Sequence, residues 1–209
     1  EAEKVWESLI RDGKAVEKGD HYESLPTKST KDALKTKQKQ SDVAQAANDF
    51  NKEKGLDAIV PGTTHNPELA KRIADAYDKM PHDPNDPAVE KSYDSLKKDI
   101  DDQWDYAKDK MGIKFEPWKK EGQPYANSKE MVADVKNNKH LYFFQGGELP
   151  EDHPLTEQAG EGLSYNDKLR AVHDLFGYAA HDYQFGPKGE ENAWNVHRQM
   201  FSPESIPAV

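Results

Sequence analysis

Apolar positions recur at helical spacing along most of this chain and stop at residues that cap helices. Ser41 precedes Val43, Ala46, Ala47 and Phe50, and Gly55 follows them, which predicts a short capped helix. Asn66-Pro67-Glu68 places an N-cap before a proline at the first helical position, and Leu69, Ile73, Tyr77 and Met80 supply the apolar stripe. Beyond the proline-rich turn from Pro81 to Pro87, Val89, Tyr93, Leu96, Ile100, Ala107 and Met111 predict a longer helix closed by Gly112. Two helices joined by so short a turn are expected to form an antiparallel hairpin. Ile113 to Phe115 and Leu141 to Phe144 read as short strands, and Ser128 caps a helix between them that carries Met131, Val132 and Val135. The expected fold is therefore mainly α with a small β element (α+β), built from a helical hairpin and a C-terminal pair of helices.

The leading quarter lacks this patterning. Val5, Trp6, Leu9 and Ile10 suit one short amphipathic helix, and a polar stretch follows, with lysines at 28, 31, 35, 37 and 39. Residues 1–57 are expected to form a polar N-terminal segment with short helices, an arm in effect, and 58–209 a globular domain. A solvated face is the simpler reading of the lysine run, and contact with nucleic acid is expected, if anywhere, through Lys28 to Lys39. The segment from Gln145 to Gly162 is rich in Gly, Pro and acidic residues and is long for a connector, which marks a functional loop or a mobile one.

Composition narrows the function classes. Of the 209 residues, 34% are hydrophobic and 33% charged, with a formal charge of −10, so a surface that coats nucleic acid is excluded as the general design. Aromatics at 10%, including four Trp and nine Tyr, argue for a packed core rather than a disordered chain. Apolar runs are only a few residues long, so no membrane span is expected, and no basic segment followed by an apolar one suggests a signal peptide. With no cysteine, any metal would have to be held by imidazole and carboxylate.

The chemistry concentrates in the last fifty residues. Ser164 to Asp167 has the form of a capping box, and the helix it opens carries Tyr165, Leu169, Val172 and Phe176 with His173 beside that stripe; Gly177 is expected to end or bend it. A second helix, from about Gly189 to Phe201, has the stripe Ala193, Trp194, Met200 and Phe201. Glu190 and His197 lie seven residues apart, two turns, on the same inward face. Titratable groups pointing at apolar surface from two successive helices need partners, because an unpaired buried charge costs several kcal/mol. They would meet each other, a metal or a ligand. His173, His181, Glu190 and His197 form a candidate ligand set for a divalent metal such as Fe or Zn. Glu190, His197 and Asp174 are the candidate acid–base groups. The alternative is a buried hydrogen-bond network that braces the two helices.

Three motif comparisons bear on this site. His173-Asp-Leu-Phe-Gly-Tyr178 resembles the H-x-L-x-G-H helix of aromatic amino-acid hydroxylases, whose downstream Glu completes an iron triad; Tyr178 stands where the second histidine would be. His-Asp pairs at His82, His173 and His181 invite comparison with HD-domain phosphohydrolases, but those draw their ligands from well-separated helices and the last two pairs are eight residues apart. The most extensive likeness runs from Pro61 to Pro207. It includes the stretch from Tyr77 to Pro87, the turn Asn137 to Leu141, the run Arg170 to Tyr178, and Gly-Glu-Glu-Asn-Ala-Trp-x-x-His-x-x-Met-Phe-Ser at Gly189 to Ser202. In these strings the chain resembles a domain associated with the large polyvalent proteins of tailed bacteriophages and conjugative elements, with Tyr178 again at a usual histidine position.

That resemblance implies a phage-encoded domain, packaged in the virion and delivered with DNA or working in the bacterial cytoplasm, with other virion proteins or a host protein as partners. It implies no reaction. A non-enzymatic virion component, with the His/Glu cluster as a structural network, and a small factor acting against host defences are the other readings it leaves open.

Overall fold

The structure, a computed structural model, describes residues 15–18, 21–24, 41–62, 67–79, 86–147 and 149–209. The chain divides into two units between Gln40 and Ser41. In the first unit, strands β1 (Ala15–Lys18) and β2 (His21–Ser24) pair antiparallel, with Lys18 opposite His21 and Ala15 opposite Ser24. Helices alone were expected here. The corrected element has its signal in the two residues separating the strands, Gly19 and Asp20, because two-residue connections rich in Gly and Asp favour hairpins. The helix expected at Val5 to Ile10 and the lysine run from Lys28 to Lys39 lie outside the described residues.

The second unit begins earlier than the expected boundary at residue 58. Helix α1 (Asp42–Lys54) belongs to it, because Val43, Ala44, Ala47 and Phe50 are buried in its main core. Ser41 caps this helix by accepting from the Ala44 amide at 3.1 Å, and Gly55 ends it in the left-handed conformation.

Helices α2 (Pro67–Tyr77) and α3 (Pro87–Asp105) are both present, and Asp86 caps α3 through the Ala88 amide at 2.8 Å. The turn between them lies outside the described residues. Helix α3 continues into a π-helical turn at Tyr106–Lys110 and serves as the support against which the C-terminal helices pack.

The small β element is a parallel pair, β3 (Lys114–Trp118) and β4 (His140–Phe144), joined by α4 (Ser128–Asn138). Asn127, rather than Ser128, caps α4; its side chain accepts from the Glu130 amide at 3.1 Å. Trp104 of α3 stacks on Phe115 at 4.3 Å between ring centres and meets Phe143 edge-on at 6.0 Å, which ties helix, strands and core together.

The last elements are α5 (Tyr165–His173), continued by a π-helical segment at Asp174–Ala179, and α6 (Pro187–His197), followed by short 3₁₀ turns. The Ser164 capping box is present in full, with Asp167 returning to the Ser164 amide at 2.8 Å. Among the described residues, no helix is long and apolar enough to cross a membrane.

Candidate functional site

The site is built by the close antiparallel approach of α5 and its π extension to α6. A β-carbon added at Gly177 would lie 3.0 Å from the Ala193 carbonyl oxygen, so these two small residues let the backbones meet. His173 lies one turn before Gly177, and His197 one turn after Ala193. The crossing therefore brings the two imidazoles together, with ring centres 5.3 Å apart. Gly177 was expected to end or bend the helix; instead the helical path continues through it to Ala179, because the glycine serves packing. The π segment has its own effect. Its i→i+5 pattern carries Tyr178, five residues after His173, back beside it, with ring centres 5.6 Å apart. At the entry to α6, a β-carbon on Gly189 would fall 1.5 Å from the Gln184 carbonyl oxygen, so only glycine lets the connecting loop fold back this tightly.

A chain of hydrogen bonds fixes the imidazoles. Gln103 of α3, fully buried, donates its amide to the Met200 carbonyl at 3.0 Å, which leaves its side-chain oxygen to face His197 Nε2 at 2.7 Å. His197 must therefore carry its proton on Nε2. Burial, together with the neighbouring His173, holds its pKa well below the usual histidine range, so the ring stays neutral. Its Nδ1 is then a lone pair, and the 3.2 Å contact with His173 Nδ1 requires His173 to be the donor. His173 is pinned by one nitrogen and has the other, Nε2, left over.

That second nitrogen has no hydrogen bond, yet it is buried and lies 3.3 Å from Glu190 Oε1, at ion-pair range without hydrogen-bond alignment. Glu190 is the opposite of the inward residue expected from the helical spacing. Its side chain is 61% exposed, because it sits in the first turn of α6 at the rim. Tyr178 donates its hydroxyl to Glu190 Oε2. The approach of His173, and next the Tyr178 hydroxyl, outweigh partial burial and hold the Glu190 pKa below the ordinary carboxylate value. Asp174 behaves the other way. Burial and the Glu190 charge push it up to about 6 against the pull of His173 and Arg170, and among the described residues it has no hydrogen-bond partner. Burial and Glu190 together push the Tyr178 phenol up, so it stays protonated.

Of these groups, His173 and Glu190 border a cleft of about 230 Å³ whose apolar floor includes Leu96, Leu169 and Phe201 and whose charged wall is Arg170, His173, Glu190 and Arg198. Trp194, expected in the apolar stripe, instead stands 43% exposed at its edge, and Val196 takes the inward position. No family model, no curated protein and no solved structure matches this chain. The functional reading therefore rests on this cleft and on the sequence strings. Two of those strings, Arg170 to Tyr178 and Gly189 to Ser202, fall on the two elements that meet here.

The candidate residues separate into three groups. His173, Glu190 and Asp174 gather at or beside the cleft. His197, 3% exposed, also lines the cleft but commits both ring nitrogens to Gln103 and His173. His181 is not part of the cluster; its ring stacks against Tyr183 at 5.4 Å, its buried Nε2 has no hydrogen-bond partner among the described residues, and burial lowers its pKa. Among the described residues no three His, Asp or Glu side chains are arranged to hold a metal, so the expected set His173, His181, Glu190 and His197 is not assembled. The iron triad of the hydroxylase resemblance is not matched either, since Tyr178 fills the second histidine position with a protonated phenol turned to Glu190. His82 and Asp83 lie outside the described residues. Gln103, Arg170, Arg198 and the cleft-side role of Trp194 were not among the expected site residues. Gln103 carried no signal, being one polar residue inside a helical stripe.

Proposed function

We propose that this chain is a phage-encoded domain whose C-terminal cleft is an acid–base site. Glu190 is the base, Asp174 the acid, His173 the imidazole that couples them, and His197 with Gln103 the positioning pair. One observation carries the reading. The His173 ring is locked through Nδ1 by a buried chain reaching the Met200 carbonyl, while its Nε2, free of hydrogen bonds, is held against the exposed Glu190 carboxylate at the cleft. Two carboxyl groups whose pKa values are driven apart around one imidazole fit an acid and a base within a single site. A pure bracing network accounts for His197 and Gln103, whereas His173 set against an exposed carboxylate at the edge of a cleft favours a working site. The phage setting is supported by the strings that coincide with the two site helices, and it implies a protein packaged with, or acting soon after, delivered DNA.

The acid–base reading is tested without a substrate by nitrogen-15 NMR of the imidazole rings. The expected result is a neutral His197 protonated on Nε2, and a His173 that carries a proton on Nδ1. A neutral His173 protonated on Nε2 would overturn the assignment. The setting is tested by mass spectrometry of purified particles of the encoding phage; absence from particles and late, non-delivered expression together count against it.

A further inference from the structure

Two of the chain's four arginines, Arg170 and Arg198, line the one cleft that also holds His173 and Glu190, although lysine supplies the other 25 basic residues. Neither guanidinium is ion-paired among the described residues, although Arg170 is close enough to Asp174 to favour its ionised form. Arg198 is steadied by Trp194, whose ring it covers at 5.1 Å, and by Asn195, which takes its Nε–H at 3.2 Å; its terminal N–H groups are left over. Arg170 rests against the loop after β4, where a β-carbon on Gly147 would meet its Nη2 at 2.6 Å, and no hydrogen bond engages it among the described residues. Two guanidiniums that line one cleft and are not ion-paired among the described residues leave N–H donors for an anion there. Guanidinium presents a planar fork of donors suited to two oxygens at once, which lysine cannot do.

We propose that this cleft is an oxyanion subsite: Arg170 and Arg198 take the phosphate or carboxylate head of a small ligand, and the apolar body lies on Leu96, Leu169 and Phe201 beside Trp194. A volume of about 230 Å³ is below the usual range for a drug-sized ligand and suits one charged head on a short body. Glu190, the acidic group in the same wall, disfavours an anion, but Tyr178 donates to its carboxylate and disperses part of the charge. The inference takes from the proposed function only that this cleft is the working site; it needs no assignment of acid and base.

The test is titration of the whole chain with phenyl phosphate, with benzoate and with inorganic phosphate, read from the Trp194 indole and arginine Nε–H NMR signals. Saturable binding of phenyl phosphate or benzoate is expected, and whichever binds identifies the head group. Arg170→Gln and Arg198→Gln should each weaken it by about tenfold or more, and the Lys variants by less. Glu190→Gln should tighten it, since a repelling charge is removed. Circular dichroism of each variant separates lost binding from lost folding. Absence of saturable binding by all three probes, or binding that both Gln variants leave unchanged, overturns the proposal. If the His173 tautomer contradicts the acid–base reading while arginine-dependent binding persists, the subsite stands and that reading alone falls.

Discussion

At the junction of α4 and β4, Tyr125 donates to Asp134 at 2.7 Å and Asp134 holds His140 Nδ1 at 2.7 Å; at the C-terminal helix pair, Tyr178 donates to Glu190, which faces His173. Both regions combine a phenol, a carboxylate and an imidazole. In the first, the carboxylate also receives Asn138 at 2.7 Å, and the Tyr125 oxygen accepts the Tyr142 amide at 2.8 Å, so the groups close on one another. In the second, the imidazole is aligned from behind by His197, and its far nitrogen lies 3.3 Å from Glu190 with no hydrogen bond among the described residues, much as His140 Nε2 in the first lies 3.6 Å from Glu116. The hydrogen bonds of the first cluster span at most 17 residues, whereas the second reaches from His197 to Gln103 across 94. The same side-chain types make a local brace in one place and a candidate site in the other. What separates the two is the cleft that His173 and Glu190 line together with Arg170 and Arg198.

Five substitutions would break or sharpen this contrast. Gln103→Leu removes the acceptor for His197 and the donor to Met200 in a fully buried position, and should cost about 2–4 kcal/mol in chemical denaturation. It should also release His173 from its fixed tautomer. A loss below about 1 kcal/mol would show that the buried chain is not what holds the site.

Tyr125→Phe removes both a donor to Asp134 and the acceptor for the Tyr142 amide, and should cost about 1–2 kcal/mol by the same measurement. The acid limb tests this brace further. Burial alone would raise the Asp134 pKa, but hydrogen bonds from Asn138, His140 and Tyr125 together hold it below its ordinary value of 3.8. A depressed carboxylate contributes stability that is present above its unfolded pKa and lost as pH falls through the folded one. Asp134→Asn should therefore flatten the loss of stability below about pH 4; an unchanged acid limb would remove Asp134 from the account.

Asp174 gives the opposite sign at the candidate site. Its folded pKa of about 6 exceeds 3.8, so the folded chain holds the proton more tightly and stability declines as pH rises between those values. Asp174→Asn should abolish that decline and stabilise the protein at neutral pH by about 1 kcal/mol. A destabilised variant would mean that the ionised carboxylate has a structural partner.

The smallest effect is expected from Tyr178→Phe, about 0.5 kcal/mol or less, because its acceptor Glu190 is largely exposed. Its readout is instead the Glu190 carboxyl carbon signal, whose titration should move to higher pH once the phenol no longer donates. A loss as large as that of Tyr125→Phe would make the two clusters structural equivalents and end the contrast.

The helical body was legible because its signals are local. Ser41 with Gly55, Asp86 with Pro87, and Ser164 with Asp167 mark ends through side chains that reach three residues or fewer, and each of these caps is present. The hairpin of β1 and β2 was missed because four-residue strands offer too little alternation to stand out from polar sequence. At the site, His173, Glu190 and Asp174 were found because polar residues beside an apolar stripe are conspicuous. The orientation of Glu190 and the separation of His181 were not, since seven-residue spacing fixes a face only along an uninterrupted helix and says nothing of where solvent begins. Gln103 and Arg198 gained meaning only from neighbours far along the chain.

By itself the sequence determined the mainly helical class, the capped ends, the exclusion of thiolate chemistry and the segment where titratable groups crowd. Each follows from composition or from contacts within a few residues. The tertiary structure decided which nitrogen of which imidazole is left over, because that depends on Gly177 meeting Ala193 and on Gln103 being committed to Met200. Hydrogen-bond capacity is shared out among groups brought together from distant positions, and only the packed arrangement shows which of it remains.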